Sequence, residues 1–281
     1  VTVTGTNDAP VISGGDTSGG VTEIADGVTG ENTDDLTDTG SLAFTDVDLT
    51  DSHTVSNTPN GGSYIGTFGA VIVGSAIDWT FTVNDSLLDS LGAGDTIVQS
   101  YDVTVDDGNG GTDTETVTIT MTGTNDGPVA NGDSFGGIED IPVLGNVLAD
   151  NGNGADSDGD VGDSLSVVET AITSSQGGTV TMAANGDFTY VPFDHFSGLD
   201  SFTYTVDDGN GGTDTATVEL LVVAVADEPI IVTLNATGAA DTAIPVPLTI
   251  DFPDGDGSET HEIVLSNVPD NATFNNGTNN L

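Results

Sequence analysis

Apolar and polar residues alternate along much of this chain with a period of two. Ile77, Trp79, Phe81 and Val83 share one face of a run whose other face carries Asp78, Thr80 and Thr82. Phe202, Tyr204 and Val206 alternate with Thr203 and Thr205 in the same way. A period of two places every second side chain on one side of an extended backbone, so these runs predict strands with one face in a core. Asn185-Gly186, between TVTMAA and DFTYVP, predicts a hairpin turn, since both residues tolerate a left-handed backbone. The one stretch compatible with a helix, DSLLDSLGAGD from Asp85, is expected to form a short helical turn at a loop.

The strand pattern itself repeats. SYDVTVDDGNGGTDTETVTIT from Ser100 reappears as SFTYTVDDGNGGTDTATVELL from Ser201, 101 residues further on. A second marker returns at matching places: TVTGTNDAPV from Thr2, TMTGTNDGPV from Thr120 and a degenerate VVAVADEPI from Val222. Each follows a β run and closes near a proline, which cannot donate to a ladder and so marks a linker. The expected organisation is residues 1–8 as the end of a preceding repeat with its linker, 9–126 and 127–227 as sandwiches, and 228–281 as an incomplete third. Units of roughly 100 residues suit sandwiches. The fold class is therefore all-β, with antiparallel β-sandwiches arranged end to end. The chain opens on Val1 inside the pattern, as an internal segment would.

Charge changes what these sandwiches need. There are 46 Asp and Glu, no Lys, no Arg and three His, for a formal net charge of −46. Self-repulsion on this scale opposes a compact state unless cations are taken up. The 35% of apolar residues sit in alternating runs, which points to folded domains rather than an acidic tail. No cysteine is present to staple small domains, so a metal is the expected staple, and carboxylate and carbonyl oxygens suit Ca²⁺. The same charge excludes nucleic acid and anionic membrane surfaces as partners. No apolar run approaches the roughly 18 residues of a membrane span, so no membrane insertion is expected.

The carboxylates are placed where such ions would sit. In an antiparallel sandwich successive loops alternate between the two ends, so the incoming linker, the loop after the second strand and the last hairpin loop meet at one end. In the second unit these are Asn125-Asp126, the loop with Asp156, Asp158 and Asp160, and Asp207-Asp208. The first unit repeats the set as Asn7-Asp8, then Asp46, Asp48 and Asp51, then Asp106-Asp107. The third carries Asp227-Glu228, then Asp254, Asp256 and Glu259. Ca²⁺ takes six to eight oxygens in flexible geometry, and D-x-D loops present carboxylates with carbonyls between them. The run from Asp156 is no EF-hand, because its sixth and twelfth positions are Val161 and Val167. Asp, Asn and Gly also form turns without any ion, so the case rests on three convergent sets in a chain with no cationic side chain except histidine.

GSLAFTDVDLTDSHTVS, IDWTFTV and LLDSLGAGDTIVQSYDVTVDDGNGGTDTETVTITMTGTND resemble a VCBS repeat of large bacterial adhesins. IEDIPVLGNVLAD with NGDFTYVPFDHFSGLDSFTYTVDDGNGGTDTATV is similar to the Ig-like, cadherin-like tandem repeats of the same proteins. GAADTAIPVPLTIDFPDGDGSETHEIVLSNVPDNATF resembles the start of another repeat of RTX-type adhesins. The resemblance implies export by a type I system, Ca²⁺ between domains, and a role at the bacterial cell surface in attachment or biofilm. In the third linker Ala226-Asp227-Glu228 stands where the others have Thr-Asn-Asp, and no GGxGxDxUx array occurs.

Catalysis has little to work with. Without Cys, Lys or Arg the nucleophiles and bases reduce to Ser, His and carboxylates. His53, His195 and His261 stand apart in sequence, without zinc-ligand spacing, and Trp79 reads as core. We expect no enzyme. The expected role is a calcium-rigidified extracellular spacer whose partners are neighbouring repeats of the same protein. The alternative is a self-assembling filament or matrix protein, in which an incomplete third sandwich is completed by a strand from another copy.

Overall fold

The structure, a computed structural model, describes residues 1, 4–168, 171–226, 228, 230–233, 242 and 248–251. Its first eight strands are β1 (Val11–Gly15), β2 (Ser18–Thr22), β3 (Asp35–Thr45), β4 (Thr54–Pro59), β5 (Thr67–Val73), β6 (Ala76–Asn84), β7 (Thr96–Asp106) and β8 (Thr112–Thr122). They form two four-stranded sheets, ordered β1-β3-β6-β5 and β2-β8-β7-β4. The core between the sheets is built from the residues that the period-two pattern selects. Ile77, Phe81, Val103, Val105, Val117 and Ile119 are fully buried, and Trp79 nearly so. A single 3-10 turn, Asp85–Leu87, stands where the helix-compatible stretch was predicted.

The second set comprises β9 (Asp133–Ile138), β10 (Val143–Asn146), β11 (Ser166–Val167), β12 (Ala171–Thr173), β13 (Thr179–Met182), β14 (Asp187–Val191), β15 (Gly198–Asp207) and β16 (Thr213–Val223). Its sheets run β10-β14-β13-β12 and β11-β15-β16-β9. Phe202, Tyr204 and Val206 face this core beside Tyr190, Val218 and Leu220. The β13–β14 hairpin turns at Asn185-Gly186, with the Gly186 N–H donating to the Ala183 carbonyl. Beyond it β17 (Ile230–Thr233) pairs with β18 (Leu248–Asp251). Among the described residues no helix is long and apolar enough to cross a membrane.

One departure from purely antiparallel pairing recurs in both sets. The first stretch of chain divides: β1 pairs antiparallel with β3, then the chain crosses so that β2 pairs parallel with β8. In the second set a Val129–Ser157 bridge stands for the first pairing, and β9 runs parallel to β16. Trp79 holds the crossover in the first set, its Nε1–H donating to the Asp16 carbonyl at 2.8 Å while its ring stacks on Phe68. A parallel last pairing puts the residue that follows β2 beside the residue that follows β8. Glu23 and the outgoing linker are brought together by that register.

Trp79→Ala removes the largest fully buried side chain of this core and its bond to the crossover. We expect a loss of about 3–5 kcal/mol, read as a lower urea midpoint by circular dichroism. A change below about 1 kcal/mol would contradict this packing.

Candidate metal centre

The linker Asn125-Asp126 lies between the two sandwiches and is held from both sides. On the first side, Glu23 accepts from the Thr124 N–H at 2.8 Å, and Asp26 accepts from the Gly127 N–H at 3.1 Å. Asp85, nearly fully buried, accepts from the Ile24 and Asn32 N–H groups and so ties this loop to the 3-10 turn. Leu88 is buried beneath that turn, which leaves Asp89 at the sandwich end. Glu23, Asp89 and Asp126 each bring one oxygen within 4.8 Å of one another.

The second side meets the same linker through two loops. Asp160 accepts from the Asp126 N–H at 2.9 Å, and Asp208 accepts from Asn125 Nδ2 at 2.9 Å. Asp158 in turn accepts from the Asp160 N–H, and Asp158, Asp160 and Asp163 form a second group of converging oxygens. The backbone also bridges the sandwiches, with the Val161 N–H donating to the Ser90 carbonyl at 3.2 Å. Gly159 permits this closeness: a β-carbon there would lie 2.8 Å from an Asp126 oxygen.

The first set carries the same arrangement around Asn7 and Asp8. Asn7 Nδ2 donates to Asp107, the Asp8 N–H to Asp48, and the Asp48 N–H to Asp46. Asp46, Asp51 and Asp107 converge as the third group. One feature is particular to this end: His53 Nε2 lies 2.9 Å from Asp46 Oδ2. His53 is therefore not isolated, as its place in the sequence implied, and with the Asp48 N–H it holds the Asp46 carboxyl below its ordinary pKa.

Electrostatics separate two kinds of carboxylate. Burial, then Glu23, Asp160, Asp89 and Asp26 in turn, push Asp126 up to about 7. Asp158 and Asp160 are raised by burial and neighbouring acids, against a backbone N–H that each accepts. Glu23 is raised by burial first, against its Thr124 bond. Asp208 goes the other way: burial opposes ionisation, but Asn125 and the N–H groups of Asn210, Gly211 and Gly212 outweigh it. Several oxygens at the joint are buried without a hydrogen-bond donor: Asn125 Oδ1, Asp126 Oδ1, Asp158 Oδ2 and Asp160 Oδ1. Orphaned buried acceptors are costly, and an all-oxygen set of this kind fits a hard divalent cation.

The sequence-predicted residues divide accordingly. Asn7, Asp8, Asp46, Asp48, Asp107, Asn125, Asp126, Asp158, Asp160 and Asp208 lie in these hydrogen-bonded assemblies. Asp106 and Asp207 do not; their carboxylates accept from Gly108 and Gly209 within their own hairpins, because alternation turns them away from Asp107 and Asp208. Asp156 turns inward and accepts from Asn131 and Tyr204. Asp227, Asp254, Asp256 and Glu259 lie outside the described residues, as do His261 and nearly all of the expected third unit; Glu228 is described but stands in none of the groups. Sequence reasoning missed Glu23, Asp89 and Asp163. Glu23 had a signal: Glu139 stands at the matching place after β9, with its N–H bonded to Val223 and its carboxylate accepting from Val225.

Residues 125–220 match the family model of the bacterial Ig domain. No curated protein sequence matches the chain. Among solved structures, extracellular cadherin domains 1–4 of protocadherin gamma B7 are 13% identical with a TM-score of 0.45, over 88% of this chain and 60% of that one. Human mucin-like protocadherin EC1-2 is 16% identical at TM-score 0.44, over 77% of this chain and 98% of its own. Mouse cadherin-23 EC22-24 is 15% identical at TM-score 0.44, over 87% and 78%.

The raised carboxyls set a sign for pH. An acid whose folded-state pKa exceeds its unfolded value favours folding while protonated, and that contribution is lost as pH rises through the folded pKa. In chelator, the melting midpoint is therefore expected to fall as pH rises from about 4, the ordinary carboxylate range, and to level off above the Asp126 value of about 7. Asp126→Asn should flatten the profile; an unaltered profile would show that Asp126 is not the group responsible.

Proposed function

We propose that this chain is a calcium-rigidified stalk of a bacterial surface adhesin, made of Ig-like repeats and serving cell adhesion or biofilm. One observation carries this reading. A two-residue linker is enclosed by Glu23 and Asp89 of one sandwich and by Asp158, Asp160 and Asp208 of the next, with four buried oxygens left without donors. In a chain with no Lys or Arg, no side chain is available to neutralise that set, and repeats joined end to end need stiff joints to project a distant tip.

Ca²⁺ bound there would supply positive charge to both sandwiches at once. Glu23, Asp89 and Asp126 would hold it on one side, and Asp158, Asp160 and Asp163 on the other. Asn125 and the Asp126 N–H keep the linker in place between them. The VCBS and RTX resemblance supports a secreted protein and type I export, and the acidic joints suit an extracellular medium rich in Ca²⁺. Neighbouring repeats are the partners this geometry serves.

Binding to the folded state alone stabilises by about 2.7 kcal/mol per site at a hundredfold excess over Kd. We expect millimolar Ca²⁺, but not Mg²⁺, to raise the melting midpoint by at least about 10 °C over EDTA. Small-angle scattering should show the maximum dimension becoming narrowly defined with Ca²⁺. Asp160→Asn, with Asp126→Asn, should abolish most of both effects. An unchanged melt and scattering curve would reduce the acidic loops to solvated turns and end the proposal.

A further inference from the structure

The second sandwich holds an acidic centre that the joint does not use. Tyr204, 3% exposed, projects its hydroxyl into a set of oxygens: the Asn131 carbonyl at 2.8 Å, the Val147 carbonyl at 3.1 Å, and Asp156 Oδ2 at 3.1 Å. A phenol has a single proton to give, so at most one of these acceptors is satisfied by it. Asp133 completes the set. It is 1% exposed; Asn151 donates to its Oδ1 at 3.2 Å, while its Oδ2 is buried with no hydrogen-bond partner. Tyr204 lies close enough to ease ionisation of Asp133, but its one proton also faces the two carbonyls and Asp156. Burial raises both Asp133 and Asp156, and each feels a neighbouring acid.

The fold does not require this arrangement. At the matching positions of the first sandwich stand Thr17, Phe44 and Val103, and Phe44 and Val103 fill the place as ordinary core. Asp156 and Tyr204 thus put oxygens where the first sandwich has apolar packing, and Asp133 is buried where Thr17 is exposed, which costs stability unless the oxygens have a counter-charge. Asp133 also lines a surface cleft of about 400 Å³ with Gly132, Ser134, Asn153 and Thr217, which gives an approach from solvent.

We infer that Asp133 and Asp156, with the Asn131 and Val147 carbonyls and the Tyr204 hydroxyl, form a second calcium site inside the sandwich, separate from the joint. Two carboxylates balance one divalent ion, and the carbonyls and phenol are the neutral oxygens such an ion accepts. The site anchors the long loop between β10 and β11 to the first segment of the sandwich. Its occupancy fixes the platform from which Asp158 and Asp160 project.

The test is a calcium count on the whole chain by equilibrium dialysis near neutral pH, with Asp133→Asn compared with Asp160→Asn. Asp133→Asn is expected to bind one ion fewer, Asp160→Asn to lose a different one, and the double variant to lose both. Tb³⁺ gives an independent readout, because Tyr204 would sensitise its emission; Tyr204→Phe should dim that emission while Tb³⁺ stays bound. In EDTA, Asp133→Asn should fold and melt higher than the parent chain, since one crowded charge is gone. If Asp133→Asn does not fold, Asp156→Asn is carried through the same measurements. An undiminished ion count in the variant that folds, with full Tb³⁺ emission in Tyr204→Phe, would overturn the inference and leave a proton between the two acids. Failure of the joint alone would appear as a normal count in Asp160→Asn and a reduced one in Asp133→Asn.

Discussion

Uncompensated negative charge is the constraint on which the rest of this molecule depends. With 46 carboxylates and no Lys or Arg, nearly every favourable contact an acid makes must be with a backbone N–H, an amide, a hydroxyl or an ion. The structure uses the first three extensively. Asp85, Asp200 and Asp208 are all buried, and each is satisfied by several donors. Asp200 shows how far this goes: burial opposes its ionisation, yet Ser174, Tyr190, Ser175 and the Ser201 N–H together keep its pKa low. Where donors run out, at Asp126, Asp158, Asp160 and Asp133, the pKa rises instead. The protein thus separates acids that it has stabilised by itself from acids that it has left to be stabilised by something else.

The strands and their buried faces were legible in the chain because a period of two is a direct image of the pleat. Trp79 with its neighbours and Tyr204 with its neighbours point inward as the alternation required. The meeting of linker, loop and hairpin was legible too, since it follows from counting turns. What the sequence could not display was the parallel pairing of β2 with β8, because alternation carries no information about strand direction. Glu23 and Asp89 were lost with it: Glu23 joins the linker only through that register, and Asp89 only through the 3-10 turn beneath it. Asp106 and Asp207 were misplaced for a simpler reason. They sit beside Asp107 and Asp208 in sequence, and adjacent residues of a strand face opposite ways.

The two ends of the second sandwich illustrate how one device is reused. Glu23 and Glu139 occupy matching positions, and each accepts from the backbone two residues past the final strand. Each places a carboxylate at the exit of its own sandwich before the next linker begins. The incoming end is equally repetitive, with Asn7 bonded to Asp107 as Asn125 is bonded to Asp208. Among the described residues both sandwiches therefore carry an Asn–Asp pair at the incoming end and a linker-binding Glu at the outgoing end. These recurring polar contacts sit at the termini of the repeat rather than on its faces.

The parallel pairing has a mechanical meaning. Chain enters the first sandwich at the end where Asn7 meets Asp107 and leaves it at the opposite end, past Thr122. Strand β1 lies nearest the entry and passes through the crossover into β2, which lies beside the exit strand β8 and runs in the same direction. A pull between the ends of the sandwich slides one strand along the other, so the hydrogen bonds of that ladder are strained together in shear. An antiparallel pair gripped at one end would instead open bond by bond, like a zip. The same geometry recurs at β9 and β16, which makes each unit a link suited to carrying tension along its length.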